Sequence, residues 1–334
     1  GARKLAGPTL HAQLVPTCLV PDNGPMTLLY YDPRFLDHET GAHPERPLRL
    51  IKVIDRLEHA ALVANCTRHA WQPVSMVRLA RVHDLAYAKK VADFAERGGG
   101  QIESDTIVSP KSYEVALLAA GAVCDAVERV VGGEDKHALC LVRPPGHHAL
   151  QAEVMGFCLF NNVAIAARTA VSELGLDRVM IVDWDVHHGN GTQDAFWRDE
   201  QVGFLSVHRW PFYPGTGRAS ETGAGPGLGS TMNLPVEFGT SRRAYLDLFR
   251  GALEGFAARI KPQLVLISAG FDSHRTDPVG SLGLESEDFG ELTTIVLDVA
   301  DAFADGKVVS VLEGGYRPQA LAESVEIHLS AMLS

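Results

Sequence analysis

The sequence is poor in cysteine. It holds five in 334 residues, at positions 18, 66, 124, 140 and 158, and no two form a C-x-x-C pair. Their number is odd, and Cys124 and Cys140 stand in apolar runs. This argues against a disulfide framework or a thiolate zinc site and for free thiols in a reducing compartment. No apolar run approaches the ~20 residues that span a bilayer. Arg3 and Lys4 are not followed by a continuous apolar stretch, so no secretory signal is read there. There is no lysine or arginine run, and the formal net charge is −11, which argues against nucleic acid as the main partner. Gly-x-Ser-x-Gly is missing and no cysteine stands beside a histidine. Neither a serine elbow nor a Cys-His nucleophile is therefore indicated.

What remains is an ordinary globular composition, 46% hydrophobic and 21% charged. Residues 1–25 carry several prolines and no periodicity, and are expected to form an N-terminal arm. From residue 26 onward the pattern alternates short apolar runs with longer amphipathic ones. Strands are expected at Met26–Tyr31, Ala138–Val142, Val179–Val182, Gly203–Val207, Leu264–Ile267 and Val308–Leu312, with a weak strand or connector at Trp71–Leu79. Helices are expected at Leu48–Leu57 (with Leu50, Ile51, Ile54 and Leu57 on one face), Val82–Ala95, from Ser109-Pro110 to Gly132, Asn162–Leu174, Ala244–Ile260, Phe289–Ala304 and Pro318–Leu333. Residues 101–109 and 209–230 read as loops. No linker or repeat divides the chain. Short apolar strands alternating with helices imply one α/β domain, 26–334, with a central, mostly parallel sheet covered on both faces.

In such sheets ligands bind beyond the carboxyl ends of the strands. Five expected strands end in polar loops that carry His147 and His148; Asp183, Asp185 and His187; His208; Asp272; and Tyr316. Singly, each reads as well as a cap, a turn or a surface accident. Together at one end of one sheet they suggest chemistry. Asp185, His187 and Asp272 would offer one divalent ion three ligands and leave positions open, as a catalytic site requires. Zinc suits this O/N set, and ferrous iron fits it too. A metal-bound water would be acidified, a neutral histidine of the pair His147/His148 could take its proton, and Tyr316 could donate to an oxyanion. The chemistry implied is metal-assisted hydrolysis of an amide or ester.

The segments RPPGHHA (143–149), GFCLFNN (156–162), DWDVHHGNGT (183–192), YPGTG (213–217), AGFDSHRTDP (269–278) and EGGY (313–316) resemble, in wording, order and spacing, the zinc-dependent histone deacetylase superfamily. That group includes bacterial deacetylase-like amidohydrolases and acetylpolyamine amidohydrolases. GFCLFNN, HHGNGT and EGGY look closer to class II than to class I. The resemblance implies the arginase/deacetylase-like three-layer fold and a set of roles. Asp185, His187 and Asp272 would be zinc ligands, His148 the general base and then acid, and His147 its electrostatic partner. Asp183 would hold His147, and Tyr316 would polarise the acetyl carbonyl. The Gly156 carbonyl would accept the substrate amide N–H. Phe157 and Tyr213 would be opposite walls of a narrow tunnel; many relatives have phenylalanine at the latter position. Structural potassium would bind Asp183, Asp185, His187, Ser206 and Val207, and a second ion Phe196, Asp199, Val202 and Ser230.

Two departures bear on mechanism and substrate. Asn190 stands where class I members place an aspartate behind the second histidine, and a neutral amide should raise that imidazole's pKa less. Val279 follows Asp277-Pro278, where the polyamine-selective vertebrate member has an acidic residue. The expected substrate is therefore an acetylated or otherwise short-acylated lysine, as a peptide, with an acetylated small amine or polyamine as the alternative. Glu103, Asp105 and Glu221 are candidate rim residues. A binuclear manganese hydrolase of arginase type would need more bridging carboxylates, and a non-catalytic acyl-lysine binder would not need Tyr316, both histidines and all three ligands. No membrane partner is expected, a homo-oligomer is left open, and the architecture suggests a cytoplasmic bacterial enzyme.

Overall fold

Runs such as VMIVD, LVLISA and VVSVL are apolar at successive positions, not alternate ones, so a strand made of them must be covered on both faces. The computed structural model, which describes Gly1 and residues 27–334, shows this arrangement. The strands are β1 (Thr27–Tyr30), β2 (Cys66–Thr67), β3 (Gly100–Glu103), β4 (Thr106–Val108), β5 (His137–Cys140), β6 (Val179–Asp183), β7 (Val202–Arg209), β8 (Thr231–Val236), β9 (Leu264–Ala269) and β10 (Val308–Leu312). Eight of them form one sheet in the order β2-β1-β5-β10-β9-β6-β7-β8, and every pairing is parallel. Every residue of β6, β9 and β10 is buried.

The helices are α1 (Leu48–His59), α2 (Met76–Leu79), α3 (Leu85–Glu96), α4 (Ser112–Val131), α5 (Asn162–Ser172), α6 (Asn190–Phe196), α7 (Arg242–Ile260), α8 (Ser286–Phe303) and α9 (Pro318–Met332). The helices α1, α9, α8 and α7 pack side by side, and α4 packs on α5. Because the central strands are buried on both faces, these two groups cover opposite sides of the sheet. The three-layer α/β/α architecture expected from the sequence is present. The chain runs β5 to β6, skipping two strand positions that β9 and β10 fill later. The four central strands thus place their C-terminal loops side by side, where parallel sheets bind ligands.

Several local expectations differ. The expected arm, with Cys18, and Met26 of the first strand lie outside the described residues. In α1 the buried apolar positions are Leu50, Val53, Ile54 and Leu57, while Ile51 is exposed, because the i, i+3, i+4, i+7 stripe starts at Leu50. Residues 101–109 are not a loop: β3 and β4 pair antiparallel there. Within Trp71–Leu79 the regular part is the short α2, which Ser75 caps through Arg78 N–H. Helix α3 begins at Leu85, three residues later than expected, and His83 before it is buried with Nδ1 2.9 Å from the Leu150 carbonyl. Ser109 does not cap α4, because its hydroxyl joins Ser112 Oγ and the Asp37 carbonyl instead. The strand β8 follows the expected 209–230 loop, in a stretch for which the sequence predicts no element. Its Pro235 is tolerated because β8 is an edge strand, paired only with β7.

One buried charge cluster ties the loop before α1 to the sheet. Glu45, Arg49 and Arg143 are essentially inaccessible. Arg143 donates to both Glu45 oxygens and to the carbonyls of Phe35 and His38. Arg49 donates to Glu45 at 3.2 Å, to the Gly315 carbonyl at 2.6 Å and to the Glu313 carbonyl at 2.5 Å. Burial alone would raise the Glu45 carboxyl, but Arg143 and His38 beside it hold it well below the usual carboxylate range. Removing this anion would strand two buried guanidinium groups. Glu45→Ala should therefore destabilise the fold by about 3–5 kcal/mol, read as a shift in a denaturant unfolding curve; a change under about 1 kcal/mol would refute the cluster's structural role.

Candidate active site

The strand β6 ends at Asp183, and the chain then turns so that Asp185 and His187 face the residues that follow β9. Backbone N–H groups hold each carboxylate. Asp185 Oδ1 accepts from His187 N (2.9 Å) and Oδ2 from Gly314 N (2.8 Å), while Asp272 Oδ1 accepts from Val186 N (2.9 Å). His187 Nδ1 lies 3.0 Å from Asp185 Oδ1 and 3.1 Å from Asp272 Oδ2. One ligand atom from each of the three residues falls within 4.8 Å of the others. Asp272 Oδ2 is buried with no aligned hydrogen-bond donor. A buried carboxylate oxygen left without a donor, facing a second carboxylate and an imidazole nitrogen, is what a divalent ion would satisfy. Glycine 314 makes room for it: a Cβ there would stand 2.2 Å from Asp272 Oδ2 and 2.4 Å from Asp185 Oδ2.

The electrostatics of the metal-free trio agree. Burial and the neighbouring Asp185 push the Asp272 carboxyl up to about 7. Burial opposes protonation of His187, but Asp185 and Asp272 outweigh it and bring the imidazole to about 10. A metal ion needs these ligands deprotonated, so it must displace protons at neutral pH. The sign follows: apparent affinity for a divalent ion should rise with pH, by about tenfold per unit per displaced proton, up to about pH 10. Competition titration against a chelator measures this, and a flat profile between pH 6 and 9 would contradict the assignment of His187 as a ligand.

The paired histidines follow β5. Their ring centroids are 4.0 Å apart, yet their surroundings differ. His147 Nδ1 meets Asp183 Oδ2 at 2.9 Å, and its Nε2 is 3.9 Å from Asp185 Oδ1. Burial disfavours its charge, but Asp183 and Asp185 raise it to about 10. His148 Nδ1 meets Asn190 Oδ1 at 2.6 Å, and Asn190 Nδ2 points to Met155 Sδ. Burial, reinforced by His147 and His187, holds His148 well below the ordinary imidazole range. One member of the pair is thus charged and the other neutral. With Asn190 Oδ1 accepting from Nδ1–H, the Nε2 lone pair of His148 is free. Their loop is pinned by Glu313, whose Oε2 accepts from Gly146 N (2.6 Å) and His147 N (3.2 Å).

His148 and His187 open onto a cavity of about 230 Å³ lined also by Gly156, Phe157, Phe212, Tyr213, Val279, Tyr316 and Asp105. Phe157 stands edge-on to Tyr316 at 5.4 Å and Tyr213 edge-on to His148 at 5.4 Å, while Phe212 stacks on His187 at 5.3 Å and 17°. Phe157 has φ +70°, a conformation that non-glycine residues rarely adopt, and its N–H is held by Thr106 Oγ1 at 3.1 Å. Gly156 must be glycine, since a Cβ would come within 2.2 Å of His148 Cδ2. Its carbonyl accepts from the Cys158 thiol at 3.3 Å, which leaves a lone pair for a further donor. Tyr316 is buried; its N–H donates to Asp277 Oδ2 at 2.6 Å, and the Arg49 guanidinium sits 4.9 Å from its ring centroid. Burial keeps its phenol far above the ordinary value, so it stays a donor.

Of the candidate rim residues, Asp105 lies in the cavity wall beside the Tyr213 hydroxyl. Glu103 accepts from Ser104 and the Asp105 N–H. Glu221 instead braces its own loop through Gly217 N, Arg218 N and Gln193. His208 is buried against Ser206 and the Gly217 carbonyl, away from the cavity lining. Among the potassium candidates, Ser206 is the direct ladder partner of Asp183, with Val207 beside it. Phe196, Asp199 and Val202 fall within one tight turn, but the Asp199 carboxylate is already taken by Val202 N and Arg168, and the Ser230 carbonyl by Phe204 N. Phe212, Glu313, Arg49 and Glu45 were not singled out from sequence. The neighbour of Tyr213 and the acid that opens EGGY were the available signals for the first two.

Comparison with known proteins settles the lineage. The family model for the histone deacetylase domain matches residues 43–332. The chain belongs to the histone deacetylase family. It is 37% identical over 275 residues to the histone deacetylase-like amidohydrolase of Pseudomonas aeruginosa, covering 82% of this chain and 72% of that one. It is 40% identical over 302 residues to the human polyamine deacetylase HDAC10, covering 86% of this chain and 44% of that one. The crystal structure of the HDA15 HD domain superposes with a TM-score of 0.87 at 34% identity, covering 92% of this chain and 90% of that one. As a histone deacetylase family member with class II-like motifs, the chain lines a single cavity with His148 of its His pair, His187 of its Asp-His-Asp trio and Tyr316.

Proposed function

We propose that this chain is a zinc-dependent deacylase that removes acetyl, or other short acyl, groups from lysine-like amines. The observation that carries the reading is the polarised histidine pair, one imidazole charged and one neutral, beside an open Asp-His-Asp trio at the base of a narrow aromatic cavity. Asp185, His187 and Asp272 would hold the zinc, which when bound polarises the acyl carbonyl and acidifies water from about 15.7 toward about 7. His148, kept neutral, takes a proton at Nε2 and later returns it to the leaving amine. His147, fixed by Asp183, keeps its positive charge and discourages His148 from holding a proton at rest. Tyr316, kept protonated by burial, donates to the carbonyl oxygen as it gains charge. Phe157 and Tyr213 flank an apolar chain, and the free lone pair of Gly156 suits an amide N–H. Potassium at Asp183, Asp185, His187, Ser206 and Val207 would be structural.

A second reading, hydrolysis of an acetylated polyamine, is favoured by one observation, the Asp105 carboxylate in the cavity wall, and by similarity to a human polyamine deacetylase. Val279, on the same wall, offers no charge to a polycation, so the acyl-lysine reading leads. Turnover of an acetyl-lysine peptide should exceed that of an N-acetylpolyamine by the zinc-loaded protein; the reverse order would assign the second reading. Tyr316→Phe should lower kcat by about 10²–10³-fold with metal content unchanged, and near wild-type turnover would remove Tyr316 from the reaction.

The amide at position 190 gives a separate test. Asn190→Asp places a carboxylate against His148 Nδ1 and stabilises the imidazolium. Because the base must be neutral, raising its pKa moves the acid limb of the kcat/KM profile upward, by about one unit or more. A pH profile that does not move would show that His148 is not the base.

A further inference from the structure

Arg209 is the last residue of β7 and lies just outside the cavity. Its backbone N–H donates to the carbonyl of Val186, the residue between Asp185 and His187, at 2.9 Å. Its guanidinium is sandwiched between two rings, 4.2 Å from the Phe212 centroid and 4.5 Å from that of Phe238. The inner ring, Phe212, is the one stacked on His187 and lining the cavity. From the same position Nη1 donates to the carbonyls of Gly280 (3.2 Å) and Ser281 (3.3 Å). Those residues directly follow Val279, which lines the cavity beside Phe212. Ser281 has φ +73°, a strained conformation for a residue with a side chain, and its N–H closes onto the Asp272 carbonyl at 2.6 Å. Among the described residues no carboxylate pairs with Arg209, and its half-buried charge is met within the protein by ring faces and carbonyl oxygens.

We infer that Arg209 is a positioning residue that sets the width of the substrate tunnel on its Phe212–Val279 side, and so selects for a slim, unbranched amine chain. Three separately delivered segments, the Val186 loop, the Phe212 turn and the 279–281 turn, meet on this one residue, the first at its backbone N–H and the other two at its guanidinium. A planar guanidinium can stack between two rings while its N–H edge reaches two carbonyls. A lysine ammonium is a point charge and cannot do both. Released from this clamp, Phe212 loses its outer support and the Ser281 turn loses the two carbonyl contacts that add to its bonds with Asp272 and Arg275. The inference rests on the acyl-lysine reading for the nature of the substrate, but the clamp itself does not depend on it.

The test compares R209M, R209K and F238A with the wild-type zinc enzyme. The variants are assayed on an acetyl-lysine peptide and on an N-acetyl arylamine of greater width. Hydrogen exchange of residues 279–284 is followed in parallel. R209M should raise KM for the peptide about tenfold or more with kcat changed far less, and should narrow the preference for peptide over arylamine by a similar factor. R209K should rescue little, and F238A should fall between. Exchange at Ser281 and Leu282 should quicken at least tenfold in R209M. A folded R209M with KM, preference and exchange all within twofold of wild type would overturn the inference. So would a loss of metal and kcat in step with a lower melting temperature and no change in preference, which marks a merely structural residue. If the wild type cleaves neither substrate, the functional reading fails, and exchange alone then decides whether Arg209 clamps the wall.

Discussion

Two carboxylates, Asp185 and Asp272, are buried side by side against a single imidazole, and the rest of the site is built around that cost. Anions removed from water need compensation by donors or by a cation. Backbone N–H groups from Val186, His187 and Gly314 cover three of the four oxygens, and the fourth, Asp272 Oδ2, has no aligned donor, only the His187 imidazole 3.1 Å away. Supplying those donors requires the ends of β6, β9 and β10 to be adjacent, which the strand order achieves by inserting β9 and β10 between β5 and β6. It also requires glycine at 314, because any side chain there would occupy the space of the carboxylates. Sheet topology, loop composition and metal affinity are in this sense one constraint.

The same field divides two neighbouring histidines into different states. His147 and His148 have nearly the same burial, yet one faces a carboxylate and the other an amide. The charge on the first then helps keep the second neutral. A pair of identical residues thus becomes a fixed cation and a free base, an arrangement suited to moving one proton at neutral pH. Around this polar base the cavity narrows between aromatic rings, two of them, Phe157 and Tyr213, on loops tied to the β3–β4 hairpin. The hairpin supplies Thr106, which secures Phe157, and Asp105, which lies beside Tyr213. Rigid central strands place the reacting groups, and loops at the edge shape what may enter.

Much of this was legible in the chain before the structure. The central strands announced themselves as uninterrupted apolar runs, and the polar residues that followed them come together at one end of the sheet. Asp185, His187, Asp272, the histidine pair and Tyr316 could be placed because each sits within four residues of a strand end or in a long motif. What was not legible depends on contacts between distant segments. The β3–β4 hairpin is short and polar, and its strands gain their order from packing under α3 and against Phe157. β8 carries a proline and is not predicted as an element, since only its edge position permits a strand there. Arg143 lies 98 residues from Glu45 in sequence, and no local pattern reveals that it shares one buried site with Glu45 and Arg49. Likewise Ile51 looked apolar enough for the core, but the turn of the helix points it outward.

The central claim is that Asp185, His187 and Asp272 hold one catalytic divalent ion at the base of the cavity. The most direct measurement is anomalous diffraction at the zinc absorption edge from crystals of the zinc-loaded protein. The account predicts a single strong peak per chain within bonding distance of all three residues, and none at that place in Asp272→Asn. No peak among these residues, or a pair of bridged ions, would contradict it; the second result would point instead to binuclear chemistry of the arginase type.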